Sequence, residues 1–190
     1  MREQYDNVIK LIKEQKELDA CITGSILLDY FPDENQDVDI FCYSEESFRE
    51  LLFFMNYNPL FQILDKLEAY KFKSYIKKGQ SSLNKISLIT VKFTYNLCVP
   101  INIVYRKGNK NLFDVISGFD LDLVAQGHCL KTGKYHSLRE STGMEGTWNR
   151  WSKQFYDPSI WDVKRVMRQF SRIQKYEARG YNLSSVTDKY

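Results

Sequence analysis

The sequence predicts an α+β protein, a mixed α/β arrangement in which a central mixed β-sheet is flanked by helices and followed by a C-terminal helical extension. Apolar residues at helical spacing alternate with short runs rich in Val, Ile and Phe, which are typical of strands. The chain has 190 residues, of which 43% are hydrophobic and 15% aromatic, and this is enough for a buried core. We expect a core over 1–126, a loop over 127–147, and a helical extension over 148–190 packed on that core as a single globular unit.

The sequence of the first part of the core predicts two helices, each next to a strand. Residues 2–17 place apolar side chains three and four positions apart, as in an amphipathic helix packed on a sheet. Residues 18–23 then form a short apolar run, as in a strand, and 25–31 have the length of a short helix. A turn with a proline and acidic residues leads into a second strand that carries Asp37 and Asp39.

The sequence of the rest of the core predicts further helices and an antiparallel extension of the sheet. Residues 44–47 combine serines with acidic residues, which favours the start of a helix, and 60–68 have the length of another short helix. Residues 109–117 predict a short helix and 119–126 a strand. Alternating patterns predict strands over three more stretches, which are 70–76, 86–95 and 99–105.

The C-terminal extension contains the longest predicted helix. Asp157-Pro158 is typical of an N-cap followed by proline at the first helical position, and Gly180 is typical of the glycine that ends a helix. Between them runs an apolar stripe of Val163, Val166, Met167, Phe170 and Ile173. Another face carries a basic stripe of Lys164, Arg168, Arg172, Lys175 and Arg179. We select Lys164 and Arg168 as candidate nucleotide-binding residues, because this stripe could meet a triphosphate or an RNA backbone; the alternative is a solvated helix face.

Residues 20–42 carry the candidate chemistry. Successive side chains of a strand alternate between faces, so Asp37 and Asp39 share one face while their apolar neighbours share the other. Adjacent carboxylates repel each other unless a cation lies between them, and Mg²⁺ or Mn²⁺ prefers oxygen ligands. Gly24 allows a phosphate to approach the backbone, and Ser25 offers a hydroxyl and an N–H. The stretch therefore predicts binding of a metal-bound triphosphate.

These residues resemble a known signature. Gly24-Ser25, eleven intervening residues and Asp37-Val38-Asp39 are similar to the motif of the nucleotidyltransferase superfamily related to DNA polymerase β, in its minimal form. The resemblance implies a nucleotidyltransferase-like sheet, two divalent metals on Asp37 and Asp39, and transfer of a nucleoside monophosphate from a nucleoside triphosphate. The end of the chain also looks similar to the tails of some viral and phage members.

A third carboxylate is usual in the resembled family, on a nearby strand, where it binds the catalytic metal and can help to deprotonate the attacking hydroxyl. The residue that matches the expected position here is Asn102, whose amide cannot act as a base. Asp120 and Asp122 share one face of the strand predicted over 119–126. We take Asp120 as the candidate substitute, with a solvent-facing role for both aspartates as the alternative.

The sequence leaves the acceptor and the activity open. RNA is favoured as the acceptor by the basic stripe, while a protein side chain and a small molecule remain alternatives. Because Asn102 is an amide, a nucleotide- or nucleic-acid-binding module of the same fold that has lost turnover is the competing hypothesis. A structural or interaction protein is the third.

Composition excludes several other classes. The formal charge of +3 is too small to indicate nucleic-acid binding without a local basic patch. The four cysteines form no C-x-x-C pair, which favours reduced thiols and a cytoplasmic protein. No apolar run approaches the length of a membrane span, and no Walker-type glycine-rich loop indicates a P-loop enzyme. The scarcity of alanine is typical of AT-rich coding genomes, such as those of phages or low-GC bacteria.

Overall fold

A seven-stranded mixed β-sheet forms the centre of the protein in the computed structural model, which describes residues 2–28, 36–65, 68, 88–152 and 162–187. Its strands lie in the spatial order β3-β4-β5-β2-β1-β6-β7. The pairing of β2 with β5 is parallel, and the other five pairings are antiparallel. The strands are β1 (Ala20–Thr23), β2 (Val38–Cys42), β3 (Phe61–Ile63), β4 (Leu88–Tyr95), β5 (Val99–Arg106), β6 (Gln126–Cys129) and β7 (Tyr135–Ser137).

Helices cover the sheet and connect its strands. The described helices are α1 (Arg2–Lys13), α2 (Glu45–Tyr57), α3 (Leu112–Ile116), α4 (Val163–Ala178) and α5 (Ser184–Thr187), with short 3₁₀ helices at Gly24–Leu27 and Asp122–Val124. The apolar stripes of α1 and α2 form the main core with one face of the sheet. A second apolar cluster joins α4 to the 3₁₀ helix that ends at Val124 and to the chain end around Leu183.

The side-chain alternation of β2 and β5 decides which face carries chemistry. Val38, Ile40 and Cys42 are fully buried in the main core, whereas Asp39 on the opposite face is half-buried. Ile101 and Ile103 of β5 face the same core, and Asn102 between them faces the same side as Asp39. Burial of the β-branched residues against α1 and α2 therefore turns the polar residues toward the other side of the sheet.

Most of the elements expected in the core are present with shifted ends. The helix predicted over 2–17 ends at Lys13, and the short helix predicted from Ser25 is a 3₁₀ helix whose expected last residues, 29–31, lie outside the described residues. The strands predicted over 86–95 and 99–105 correspond to β4 and β5. The strand predicted over 70–76 lies outside the described residues.

The prediction of a short helix over 60–68 is wrong for its first residues. Phe61–Ile63 is β3, which pairs antiparallel with β4 and places Phe61 opposite Tyr95. The turn before it is fixed because the Leu60 N–H donates to the side chain of Asn58, 3.1 Å away. Phe61 then packs its ring against Phe54 and Tyr95, and this packing outweighs the weak helical pattern.

The prediction of a strand over 119–126 is also wrong. This segment contains the 3₁₀ helix Asp122–Val124, and β6 begins only at Gln126. Both β6 and β7 run through residues predicted as a loop, 127–147, so that prediction is wrong where they lie. β6 is short and polar, and its place beside β1 depends on pairing with a strand a hundred residues earlier, which its own sequence pattern does not show.

The predicted C-terminal end of the long helix α4, at Gly180, is confirmed. Gly180 follows it with φ +88°, and the N–H groups of Gly180 and Tyr181 donate to the carbonyls of Glu177 and Tyr176, as in a Schellman motif. At the other end Asp162 is the N-cap, accepting from the Arg165 N–H at 2.8 Å. The predicted cap at Asp157-Pro158 lies outside the described residues.

The apolar stripe of α4 does not all reach the core. Ile173 is buried, but Val163, Met167 and Phe170 are 75%, 68% and 53% exposed. No described helix is both long and apolar enough to cross a membrane. All four cysteines are free thiols, as expected; Cys21 and Cys42 are buried, and burial raises the pKa of Cys21 to about 12.

We expect Asp122→Ala to lower the free energy of unfolding by about 3 kcal/mol, measured by urea denaturation. Asp122 is 1% exposed, and its carboxylate accepts from the N–H groups of Glu140, Ser141 and Thr147 at 3.1, 2.7 and 2.8 Å. The variant leaves these three donors without an acceptor. The exposed Asp6→Ala in α1 is the control, and an equal, small effect of both substitutions would contradict this structural role.

Candidate active site

A cavity of about 360 Å³ opens on the polar face of the sheet. It is lined by side chains from β2, β4 and β5, by the turn after β1, and by the C-terminal half of α4. The polar residues that line it are Gly24, Ser25, Gln36, Asp37, Asp39, Thr90, Lys92, Asn102, Arg172, Lys175 and Tyr176. The structure thus brings together Gly24, Ser25, Asp37 and Asp39, the four residues of the predicted triphosphate site.

The two carboxylates are joined by Asn102. Parallel pairing of β2 and β5 places Asp39 in register with Asn102. The amide nitrogen of Asn102 donates to Asp39 Oδ1 at 2.8 Å and to Asp37 Oδ2 at 3.3 Å. Burial raises the pKa of Asp39, and the nearby Asp37 raises it further, while the hydrogen bond from Asn102 acts in the opposite direction. The pair is therefore poised to bind a positive charge.

The turn after β1 fits closely against this pair. Gly24 has φ +85°, and a Cβ built on it would lie 3.2 Å from Asp39 Oδ2. Any side chain here would be strained and would crowd the carboxylate. Ser25 is held in place because its hydroxyl accepts a hydrogen bond from the side-chain amide of Gln36. Gln36 is itself held by its main-chain carbonyl, which accepts from the Tyr5 hydroxyl at 2.8 Å.

Two cations reach the cavity from α4. Arg172 forms an ion pair with Asp120, with 2.6 Å between Nε and Oδ2 and 3.0 Å between Nη2 and Oδ1. Burial alone would lower the pKa of Arg172, but the negative charge of Asp120 raises it and keeps the guanidinium charged. Burial and the neighbouring Arg179 lower the pKa of Lys175, and Asp37 partly offsets this. The part of the lining that α4 contributes is thus positive.

Asp120 does not line the cavity. Besides contacting Arg172, its Oδ1 accepts from the Leu121 N–H at 2.8 Å, so both carboxylate oxygens are engaged. Asp122 is engaged by the three backbone donors named above. The predicted third carboxylate is therefore not brought to Asp37 and Asp39, and Asp120 instead holds Arg172 in position.

Lys164 and Arg168 also lie outside this cavity. Both are exposed on the first half of α4, one to two turns before the residues that reach the carboxylates. The basic stripe was recognised in the sequence, but the half that enters the cavity contains Arg172 and Lys175. Only the packing of α4 on the second apolar cluster distinguishes the two halves.

Lys92 is a lining residue that the sequence analysis missed. It lies on β4 directly opposite Asn102 on β5, on the same face as Asp39. The signal was present: β4 and β5 are joined by the tight turn 96–98, and counting back from such a turn gives the hairpin register.

The donor set fits a hard divalent cation. Two carboxylates and an amide oxygen are the ligand types that Mg²⁺ and Mn²⁺ prefer, and Gly24 leaves the space beside Asp39 open. Among the described residues, no cluster contains three or more His, Cys, Asp or Glu side chains able to hold a metal. A third ligand taken from the described residues of this cavity would therefore be neutral.

Comparison with known proteins gives a fold but no family. No protein-family model matches the sequence, and no curated protein matches it. A solved structure described as a tRNA-processing enzyme, in an apo form, aligns with a TM-score of 0.56 at 16% identity, covering 96% of this chain and 45% of that one. A CCA-adding enzyme in complex with CTP aligns with a TM-score of 0.48 at 12% identity, covering 93% and 40%.

The first of these similarities concerns the fold alone, because the identity is low. It confirms the expected α+β fold, a mixed sheet flanked by helices. The chain spans less than half the length of either solved structure.

We expect Asp39→Asn to raise the melting temperature at neutral pH in the presence of a chelator. Because the folded-state pKa of Asp39 is raised, its charged form costs stability above that pKa. The advantage of the variant should shrink as the pH falls through the raised pKa, and disappear near the ordinary aspartate value of about 4.

With divalent metal in place of the chelator, wild type should melt at a higher temperature than Asp39→Asn. At a Mg²⁺ or Mn²⁺ concentration about 100 times the dissociation constant, wild type should gain about 2.7 kcal/mol and Asp39→Asn should gain little. Asp6→Asn, an exposed change on α1, is the matched control and should respond like wild type. Equal stabilisation of wild type and Asp39→Asn by metal would show that the pair is not a ligand.

Proposed function

We propose that this chain is a metal-dependent nucleotidyltransferase that transfers a nucleoside monophosphate from a nucleoside triphosphate to an acceptor hydroxyl. The observation that carries the proposal is the meeting of Asp37 and Asp39 with the Gly24-Ser25 turn in one cavity, together with Arg172 and Lys175. Each part of the lining alone would be unremarkable in a globular protein. Their combination offers oxygen ligands to a cation and positive charge to phosphates in the same space.

The residues of this chain have separable roles in such a reaction. Asp37 and Asp39 would hold Mg²⁺ or Mn²⁺, which when bound neutralises phosphate charge and lowers the pKa of a coordinated hydroxyl. Gly24 and Ser25 would contact phosphate oxygens through the backbone and the hydroxyl. Arg172 and Lys175 would offset the charge of the triphosphate, with Asp120 keeping the Arg172 guanidinium in place.

The covalent change is an in-line substitution at phosphorus. The acceptor oxygen forms a bond to the α-phosphorus while the bond from that phosphorus to the α,β-bridging oxygen breaks, and pyrophosphate leaves. The acceptor proton passes to solvent, because Asn102 is an amide and cannot accept it. The acceptor classes considered are RNA, a protein side chain and a small molecule.

A specific observation favours a second candidate, a nucleotide-binding module without turnover. The Asn102 amide donates to both carboxylates and occupies the place where the resembled family has a carboxylate. Such a module would bind a metal–nucleotide complex through Asp37 and Asp39 but would not transfer the nucleotide.

Incubation with α-labelled nucleoside triphosphates, Mg²⁺ or Mn²⁺, and mixed cellular RNA and protein separates the two candidates. We expect label to reach an acceptor, and Asp39→Asn to lower the rate by about 10³-fold, since several kcal/mol of transition-state stabilisation would be lost. Asp6→Asn should keep the wild-type rate. Metal-dependent nucleotide binding without any transfer would instead support the module, and absence of both would refute both candidates.

Asn102→Asp should increase the transfer rate by about 10²-fold, because it supplies a third carboxylate that can bind metal and accept a proton. In chelator the same variant should melt at a lower temperature than wild type, since three carboxylates would then repel one another. Asn102→Leu is the comparison variant, which removes the amide without adding charge and should lower the rate. A rate for Asn102→Asp at or below that of Asn102→Leu would exclude a ligand role for position 102.

A further inference from the structure

A second, smaller cavity lies beside the first. Its volume is about 170 Å³, and it is enclosed by residues 118–120 and by the first half of α4. Phe119 and Arg172 line both cavities, so the two spaces adjoin. Whatever occupies the smaller cavity would lie next to the triphosphate site.

The smaller cavity is strongly positive. Arg165, Arg168 and Arg172 follow one another at intervals of three and four residues on α4 and all line it. Among the described lining residues Asp120 is negatively charged, and it is paired with Arg172. Guanidinium groups in this arrangement match the geometry of phosphate oxygens.

An unsatisfied polar group lies in the same lining. Gln169 is 3% exposed, and its Oε1 has no hydrogen-bond partner among the described residues. Leaving a buried acceptor unpaired is costly, and a hydrogen bond to Gln169 Oε1 would remove this cost. A ligand hydroxyl or amino group entering this cavity would supply the donor.

An aromatic ring separates the two cavities. Phe119 packs edge-to-face against Phe41, with 5.6 Å between the ring centroids, and Phe41 itself lines the larger cavity. This packing fixes the Phe119 ring at the boundary. A fixed, partly exposed ring beside cationic groups is a surface on which a nucleobase can stack.

We infer that the smaller cavity binds the 3′ end of a single-stranded RNA, which is the acceptor of the proposed transfer. Arg168 contacts its phosphodiester groups, Gln169 accepts a hydrogen bond from a 2′-hydroxyl or a base amino group, and Phe119 stacks with a base. The terminal hydroxyl then lies toward the larger cavity. A protein acceptor fits less well, because a serine, threonine or tyrosine hydroxyl brings no negative charge to Arg168.

This inference rests on the proposed function, since it names the acceptor of that reaction. It also assigns a different role to Arg168, which was selected from the sequence as a candidate nucleotide-binding residue but lines the smaller cavity and not the larger one.

Binding of a fluorescein-labelled single-stranded RNA oligonucleotide to the full chain, followed by fluorescence anisotropy across a salt series, tests the inference. We expect Arg168→Gln to weaken binding about 10-fold and to reduce the slope of log affinity against log salt by about 1, because one phosphate contact is lost. Gln169→Leu should weaken binding about 5-fold without changing the slope, because it removes a neutral hydrogen bond.

The matched control is Arg2→Gln, the same chemical change at an exposed position of α1 on the opposite side of the sheet. It should bind RNA like wild type. Melting curves followed by circular dichroism check that all three variants fold. Because Arg168 is exposed, Arg168→Gln should melt at the wild-type temperature. RNA affinities that are equal for Arg168→Gln and Arg2→Gln would overturn the inference, as would transfer of label to protein alone.

The two proposals fail in different measurements. Metal-dependent binding of nucleotide to wild type, lost in Asp39→Asn, tests the proposed function and needs no RNA. If that binding is present but RNA affinity does not depend on Arg168 and Gln169, the RNA site is wrong and the proposed function stands. If RNA affinity depends on both residues but nucleotide does not bind, the proposed function is wrong, and with it the assignment of this RNA as an acceptor.

Discussion

The parallel pairing of β2 with β5 is the constraint on which the candidate site depends. It places Asp39 beside Asn102, and the burial of Val38 and Ile40 against the helices turns both polar side chains to the same side. A shift of one residue in this register would move the carboxylate into the main core and the isoleucines into the cavity. The buried, β-branched residues therefore hold the chemistry in place, although none of them contacts it.

The positive side of the site depends on contacts between distant parts of the chain. Asp120 holds Arg172, fifty-two residues later, and the Schellman motif at Gly180 ends α4 just after Lys175 and Tyr176 have reached the cavity. The ion pair is largely shielded, so its formation requires good geometry to offset the desolvation of both groups. This gives Asp120 a positioning role that its sequence neighbourhood does not suggest.

Local pattern was enough to predict the carboxylate side of the site and not enough for the rest. Asp37 and Asp39 alternate with buried residues over a strand, and Gly24 precedes them at a turn that only glycine adopts easily, so both features are visible in the residues themselves. β3 and β6 are three and four residues long and exist because of the strands beside them. The helical period of α4 gave its basic stripe, but which half of the stripe meets the carboxylates is decided by the packing of Ile173 and Tyr176 on the second apolar cluster.

Asn102 links the stability of the site to its proposed activity. Its amide donates to two carboxylates that would otherwise repel each other in a partly buried place, and a third carboxylate there would add charge to a pair that burial already disfavours. If the side-chain amide of Asn102 rotates by a half-turn, its oxygen faces the cation. Binding a metal in this way replaces two hydrogen bonds by one metal–ligand bond. That exchange is most favourable when the cation arrives with a triphosphate, because the triphosphate also brings negative charge to Lys175. An amide at this position therefore suits a site that binds metal and nucleotide together.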